Sequence, residues 1–286
     1  VFYLYLVDQR RHLVGVVSLR RLLLVAPETP LSRIGTTDLI SARVEMDQEE
    51  VAQLVASYNL LALPVVDDEN KLVGIITVDD VIDVIKDEAT EDIYRLAGVA
   101  SDEHVSTSAR ESWRKRLPWL GINLVTAICA AFVVRLFQET IDQVVALAAF
   151  MTIVASMGGN AATQTLTVVV RGIALGELTW SNSRKVLTKE ALVGLGNGLI
   201  LGFVGAIVAW LVVGNPYFGG ILALAMVVNL LVAAVAATLI PIALRALKVD
   251  PALASAVFIT TLTDMFGFFA FLGLATIFLQ YLTSVG

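Results

Sequence analysis

Two patterns of apolar residues divide the chain. Up to about residue 90, apolar residues come in short β-branched runs broken by charged turns, and one arrangement occurs twice. LYLVDQRRHLVGVVSLRRL from Leu4 matches LPVVDDENKLVGIITVDDV from Leu63 at a period of 59 residues, aligning Val7 with Val66, Asp8 with Asp67, Leu13 with Leu72, Val14 with Val73 and Gly15 with Gly74. Each copy predicts a strand, an Asp-led turn, a second strand and a helix, with glycine where another backbone comes close. Neither copy is large enough to bury a face alone, so the two are expected to pack on each other. Beyond the basic segment ARESWRKRLPW the pattern changes to five apolar stretches at about 117–136, 144–173, 191–213, 220–244 and 257–282. Each is close to the roughly 20 residues a membrane-spanning helix needs, and the second is long enough to tilt.

Composition agrees with this division. With 286 residues, 57% of them hydrophobic, and a mean hydropathy of +0.79, the chain is too apolar for an ordinary soluble domain, where about half the residues are apolar with glycine included. Residues 1–112 hold 20 acidic and 10 basic residues, a net charge of −10, whereas the remainder carries +4. Arg114, Lys115 and Arg116 precede the first span, Arg184, Lys185 and Lys189 separate the second from the third, and Arg245 and Lys248 separate the fourth from the fifth. The alternate loops, around ETIDQ and GNPYFG, have no Lys or Arg apart from Arg135 at a span end. That asymmetry predicts a multi-pass membrane protein with the N-terminal domain cytoplasmic and the C-terminus outside. Cys129, the single cysteine, excludes an intrachain disulfide and reads as a small core residue. The opening VFYLYLVDQ has no basic segment or cleavage site, so no signal peptide is expected.

Candidate chemistry lies where polar residues enter the spans, because ionisable groups there are expensive and face a bundle interior or water. In the second span Asn160, Gln164, Thr167 and Arg171 form a polar stripe, and Ala155, Gly158, Gly159 and Ala162 form a small-residue face. Such residues could also serve only to glue helices together. In the fifth span Ala256, Thr260, Asp264, Gly267 and Phe271 share a face, and no Lys or Arg of that span opposes Asp264. A carboxylate in hydrocarbon needs water, a metal ion or a proton as partner. Neither thiolate nor imidazole is near, so a metal there would be a hard, oxygen-seeking cation such as Mg²⁺, Ca²⁺ or Mn²⁺. One carboxylate per chain suits a hydrated Mg²⁺ shared by two copies on a symmetry axis.

The soluble part carries a second concentration of charge. Asp79, Asp80, Asp83, Asp87, Glu88, Glu91 and Asp92 lie within fourteen residues with only Lys86 opposing them, where the first repeat has Arg20 and Arg21. At helical spacing Asp80, Asp83, Asp87 and Glu91 fall on one face and repel one another. The run is either a solvated helix surface or a place where divalent cations relieve the repulsion.

The repeat, with its LPVVD core, resembles a tandem CBS module. MGGNAATQTLTVVVRGIALGEL, DPALASAVFITTLTDMFGFF and DEATEDIYRLAGV resemble the MgtE family of magnesium channels. The resemblance implies an α-helical membrane protein of five transmembrane helices with an N-terminal cytoplasmic α/β tandem CBS domain. Its parts would be a CBS pair over 1–90 whose first repeat is truncated at its start, a plug-type linking helix over 91–116 and a pore domain over 117–286. The family's acidic helical domain, which precedes the CBS pair, lies outside this sequence. The implied assembly is a homodimer in the lipid bilayer, its pore on the two-fold axis between the second and fifth spans, and no nucleic-acid partner is expected.

By motif match Asp264 would be the ion-binding pore carboxylate, with Ala256, Thr260, Thr263 and Gly267 beside it. Gly158, Gly159, Asn160, Thr163 and Gln164 would line or shape the pore, and Glu177 would stand near the cytoplasmic mouth. Mg²⁺ would be both cargo and regulator, closing the pore when bound by Asp80, Asp83, Asp87, Glu88, Glu91 and Asp92. CBS modules can also take an adenine nucleotide, a second ligand to test. A proton- or Na⁺-coupled transporter and a non-transporting, membrane-anchored nucleotide sensor remain alternatives. An enzyme is not expected, since no nucleophile, base and orienting group occur together and no phosphate-cradling loop is present.

Overall fold

The computed structural model describes residues 2–253 and 256–283, without the side chains of Leu253 and Ala256. The chain forms two compact units, Val1–Glu91 and Asp92–Gly286.

The first unit contains β1 (Tyr3–Val7), β2 (Leu13–Ser18), α1 (Leu19–Leu23), α2 (Leu31–Ile34), β3 (Ala42–Arg43), α3 (Gln48–Tyr58), β4 (Ala62–Val66), β5 (Leu72–Thr77) and the start of α4 (Val78–Leu96). The sequence repeat reappears as a repeat of backbone pairing. β1 and β2 pair antiparallel with Tyr3 opposite Ser18 and a bulge between Leu6 and Val7, while β4 and β5 pair with Ala62 opposite Thr77 and a bulge between Val65 and Val66. Asp8 closes the first turn by accepting from the backbone N–H groups of Arg10 and His12, each at 2.8 Å. Asp67 does the same for Glu69 at 3.0 Å and Lys71 at 2.8 Å. Both turns pass through the left-handed region, at Arg11 (φ 68°) and Asn70 (φ 60°).

The two hairpins then join reciprocally. Leu13 N–H donates to the Asn70 carbonyl and Leu72 N–H to the Arg11 carbonyl, both at 2.9 Å. Ala42, Val51, Val55, Leu63 and Val81 form the core beneath the three-stranded sheet β3-β4-β5. The expectation of close approach at both repeat glycines holds at one. A Cβ on Gly15 would lie 3.2 Å from Leu6 Cδ1, whereas Gly74 faces open space.

The second unit begins with the last turn of α4 and continues through α5 (Ala109–Leu136), α6 (Gln138–Gln143), α7 (Ala146–Ala174), α8 (Ser183–Val213), α9 (Pro216–Ala246), a 3₁₀ turn (Pro251–Leu253), α10 (Ala256–Ile277) and α11 (Leu279–Thr283). Among the described residues, five helices are long and apolar enough to cross a membrane: α5, α7, α8, α9 and α10. Residues 91–116 are not the single linking helix expected. Gly98, at φ 68°, stops α4 and donates to the Arg95 carbonyl at 2.9 Å. The chain then turns until Ser108, whose hydroxyl accepts from Glu111 N–H at 3.4 Å and starts α5. The fifth apolar stretch likewise breaks, α10 ending at Ile277 rather than running to 282.

α8 and α9 form a hairpin with a two-residue connection, shorter than the apolar pattern suggested. Gly214 ends α8 at φ 76°, and Asn215 opens α9 by accepting from Tyr217 N–H at 2.9 Å ahead of a proline suited to the first helical turn. The Asn215 amide also donates to the Tyr281 carbonyl at 3.0 Å, tying the end of the chain to this turn. The helices touch backbone to backbone: a Cβ on Gly198 would lie 2.8 Å from Val227 Cα, and one on Gly202 would lie 2.9 Å from the Ala223 carbonyl. In a membrane such packing replaces the hydrophobic drive that lipid cannot supply. α7, α9 and α10 meet around Leu147, Val154, Phe218, Leu222, Phe271 and Leu272, with Phe218 edge-on to Phe150 and Phe271. Cys129 is exposed on α5, not in the core as expected, because α5 presents most of its surface outward.

Gly198→Val forces α8 from α9 and is expected to cost about 1–3 kcal/mol; thermal unfolding in detergent checks this, with Gly196→Val, where a Cβ meets nothing, as the neutral control.

Candidate functional site

α10 brings Thr260, Asp264, Gly267 and Phe271 onto one face by helical spacing. Phe271 is locked into the core and Gly267 is buried, so the face is anchored at one end. At the other, Thr260 lies against α7, where a Cβ on Gly159 would be 3.0 Å from Thr260 Cγ2. Asp264 falls between these points, half-buried, with no hydrogen bond or ion pair to it among the described residues. The neighbouring threonines spend their donors locally. Thr261 Oγ1 donates to the Val257 carbonyl at 2.7 Å and Thr260 Oγ1 to the same carbonyl at 3.2 Å. Oxygen lone pairs are then what they have left to offer.

On α7, Asn160, Thr163, Gln164, Thr167 and Arg171 are all exposed, and the opposite face, with Val154, Gly158, Ala162 and Leu166, is buried. Thr163 and Thr167 donate back to the carbonyls of Gly159 at 2.9 Å and Thr163 at 2.8 Å. The polar stripe is therefore real and lies on the surface of the chain. Thr263 is different: it is fully buried, and its hydroxyl donates to the Thr260 carbonyl at 2.8 Å. It packs inside the bundle and does not line an open path. Gly158 and Gly267 are buried and shape packing, while Glu177 is exposed in the turn after α7, its carbonyl accepting from the Asn182 amide at 2.7 Å. Ala256 opens α10, and its side chain lies outside the described residues.

Asn229 and Glu190 are among the buried polar residues that escaped the sequence reading. Asn229 on α9 is fully buried, its amide donating to the Val154 carbonyl at 2.9 Å. Glu190 on α8 is buried and accepts from Thr165 Oγ1 at 3.3 Å and Lys189 Nζ at 2.7 Å. Asn229 is one polar residue in the middle of an apolar run and Glu190 closes a polar stretch at the start of another, signals that carry no period.

The acidic residues of α4 spread along the helix. Asp80 accepts from the Thr77 hydroxyl at 2.7 Å, Asp83 and Asp87 are exposed, and Glu88 accepts from the Gln48 amide. Among the described residues no three His, Cys, Asp or Glu side chains converge on a point that could hold a metal ion. The last turn of α4 is tied to the approach to α10: Arg95 pairs with Asp250, which also accepts from Ala252 N–H at 2.8 Å. Leu96 adds apolar contact with the cluster containing Ala252 and Ile259.

The turn after α4 is tied to the start of α5. Arg116 Nε donates to the buried Glu103 at 2.8 Å, and Lys115 Nζ lies 3.0 Å from Asp102. The Arg116 hydrogen bond holds Glu103 below the usual carboxylate range, and the Lys115 hydrogen bond does the same for Asp102.

A CBS-type module followed by five helices of membrane-spanning length, some of them carrying polar residues within the apolar segment, defines a multi-span membrane protein. The MgtE divalent cation transporter profile matches residues 151–274, and the CBS domain profile matches 31–87. The magnesium transporter MgtE of Bacillus subtilis is 39% identical over 98% of this chain and 62% of its own length. That of Thermus thermophilus is 36% identical over 98% of this chain and 62% of its own. The chain thus spans about six-tenths of the length of these relatives. A crystal structure of the soluble part of a magnesium transporter is 51% identical over 31% of this chain and 34% of that one, with a TM-score of 0.31. The sequence matches bear out the resemblance: over nearly all of its length the chain is similar to magnesium transporters of the MgtE family.

Because the folded-state pKa values of Glu103 and Asp102 are depressed, the stabilisation from these pairs is complete above the ordinary carboxylate value of about 4. It is lost as pH falls through the lowered values. Hydrogen exchange of residues 97–108, corrected for intrinsic rates, is expected to show constant protection from pH 7 to 5 and a loss of protection only below about pH 4; a loss centred near neutrality would contradict it.

Proposed function

We propose that the chain forms the membrane and regulatory parts of a Mg²⁺ channel that works as a homodimer and is closed by cytoplasmic Mg²⁺. The observation that carries this is the exposed stripe of Asn160, Thr163, Gln164, Thr167 and Arg171 on α7. Hydrocarbon cannot satisfy such a stripe, so it faces water or a second copy of the chain. Asp264 on the neighbouring α10 adds a carboxylate with no cationic partner among the described residues. Two copies meeting on an axis supply two carboxylates and a ring of hydroxyl and amide oxygens, a site wide enough for a cation that keeps its water shell. The relatives' name, magnesium transporter, agrees with that chemistry. The basic loops support a cytoplasmic N-terminal domain and a C-terminus outside, and the resemblance to bacterial magnesium transporters supports insertion in the inner membrane.

For regulation, Mg²⁺ bound along Asp80, Asp83, Asp87, Glu88, Glu91 and Asp92 screens their repulsion and changes the set of α4. The Arg95–Asp250 pair carries that change to the segment leading into α10. An adenine nucleotide at the CBS module is a second ligand reading, favoured by one groove. Tyr3, Tyr5, Val16, Asp38, Leu60 and Pro64 are among its lining residues. The Tyr5 hydroxyl is buried without a hydrogen-bond partner, and burial pushes its pKa to about 12. Aromatic faces suit a base, and the Asp38 carboxylate suits ribose hydroxyls.

Asp264→Ala in proteoliposomes is expected to reduce Mg²⁺ flux to that of empty vesicles with the melting temperature kept; normal flux overturns the channel reading. An imposed pH gradient at a fixed Mg²⁺ gradient is expected to leave flux unchanged, and a dependence on it favours coupled transport. ATP or AMP titrated into the whole chain is expected to bind about tenfold more weakly to Asp38→Ala, and equal affinity removes the groove as the nucleotide site.

A further inference from the structure

Asn229 sits where three helices cross. α9 delivers it into the core with no exposed surface; its Nδ2 donates to the Val154 carbonyl of α7, and its Oδ1 is buried with no partner among the described residues. A glycine from each neighbouring helix makes room for the amide. A Cβ on Gly158 of α7 would overlap the Nδ2 atom and lie 3.0 Å from Cγ, and one on Gly267 of α10 would lie 2.7 Å from Nδ2 and 3.0 Å from Cγ. Gly267 comes one turn after Asp264, and Thr260, pressed on Gly159, comes one turn before it. The carboxylate is therefore held between two close approaches of α10, one made by a threonine methyl and the other by the Asn229 amide. A group serving only as filler does not need a polar acceptor left unsatisfied, since an apolar side chain would do the same at lower desolvation cost. The amide combines a thin, flat shape that fits between two glycines with a donor that fixes its plane on the α7 backbone.

We propose that Asn229 is a positioning residue for Asp264: clamped to α7 and wedged against Gly267, its carboxamide sets the rotation of α10 and so the direction of the ion-binding carboxylate. This rests on Asp264 being that carboxylate. Supporting groups of this kind around metal ligands alter affinity about 10- to 100-fold when removed.

The test is Mg²⁺ flux per folded protein as a function of Mg²⁺ concentration, in proteoliposomes of the whole chain, for wild type, Asn229→Ala and Asp264→Ala, with melting temperature measured in parallel. Asn229→Ala is expected to raise the half-saturating Mg²⁺ concentration about 10- to 100-fold. A folded Asn229→Ala with unchanged half-saturation overturns the proposal. If that variant does not fold, Asn229→Ala/Gly267→Ala, in which a methyl takes up part of the amide's volume, replaces it. Raised half-saturation in the double variant supports the proposal; unchanged half-saturation, or failure of this variant to fold as well, overturns it by leaving Asn229 only a packing role. Asp264→Ala separates the two claims. Normal flux there overturns both, whereas lost flux beside an unaffected Asn229→Ala overturns positioning alone.

Discussion

Hydrocarbon offers neither hydrogen-bond donors nor acceptors, and the second unit is arranged around that constraint. Several of its threonines satisfy their hydroxyl donors within their own helices, as Thr163 and Thr167 do on α7 and Thr261 and Thr263 on α10. Glu190 has Thr165 and Lys189, and the Asn215 amide takes the carbonyls at the end of the chain. Against this economy, three groups within the apolar helices stand out among the described residues: the exposed amides of Asn160 and Gln164 on α7, the carboxylate of Asp264 and one oxygen of Asn229.

Those groups are held by backbone contact more than by side-chain bulk. Glycines let α8 close on α9 and let α10 approach α7, so that the helices carrying polar residues have little freedom to turn. Close-packed interfaces of this kind shift between discrete arrangements and do not deform smoothly. An input arriving at the lead into α10, where Asp250 meets Arg95, would therefore be felt as a change of rotation rather than as a gradual loosening.

Much of this was legible in the sequence because it is periodic or local. The apolar stretches located the five long helices found among the described residues, and the repeat foretold two hairpins whose pairing and bulges recur. The stripe on α7 followed from spacing alone. The rest depends on tertiary position. Asn229 is one amide in an apolar run, and its neighbours Gly158 and Gly267 come from distant parts of the chain. Thr263 shares a segment with Thr260 but faces inward, a distinction that helical spacing gives only once the packing of α7 and α9 is known. The break within 91–116 was readable in part, since Ser108 followed by Glu111 is a helix-start signature.

The reciprocal hydrogen bonds of Leu13 and Leu72 give the first unit two hairpins in matching settings. The helices that follow them do not match in charge, for Arg20 and Arg21 on α1 occupy the positions of Asp79 and Asp80 on α4. Duplication has kept the shape and reversed the sign. A ligand that recognises the fold of one half would find a near-equivalent place in the other, but a small ion, which responds to field alone, distinguishes the two ends at once. The two matching hairpins thereby carry unlike fields, and the start of α4 is the more favourable surroundings for positive charge.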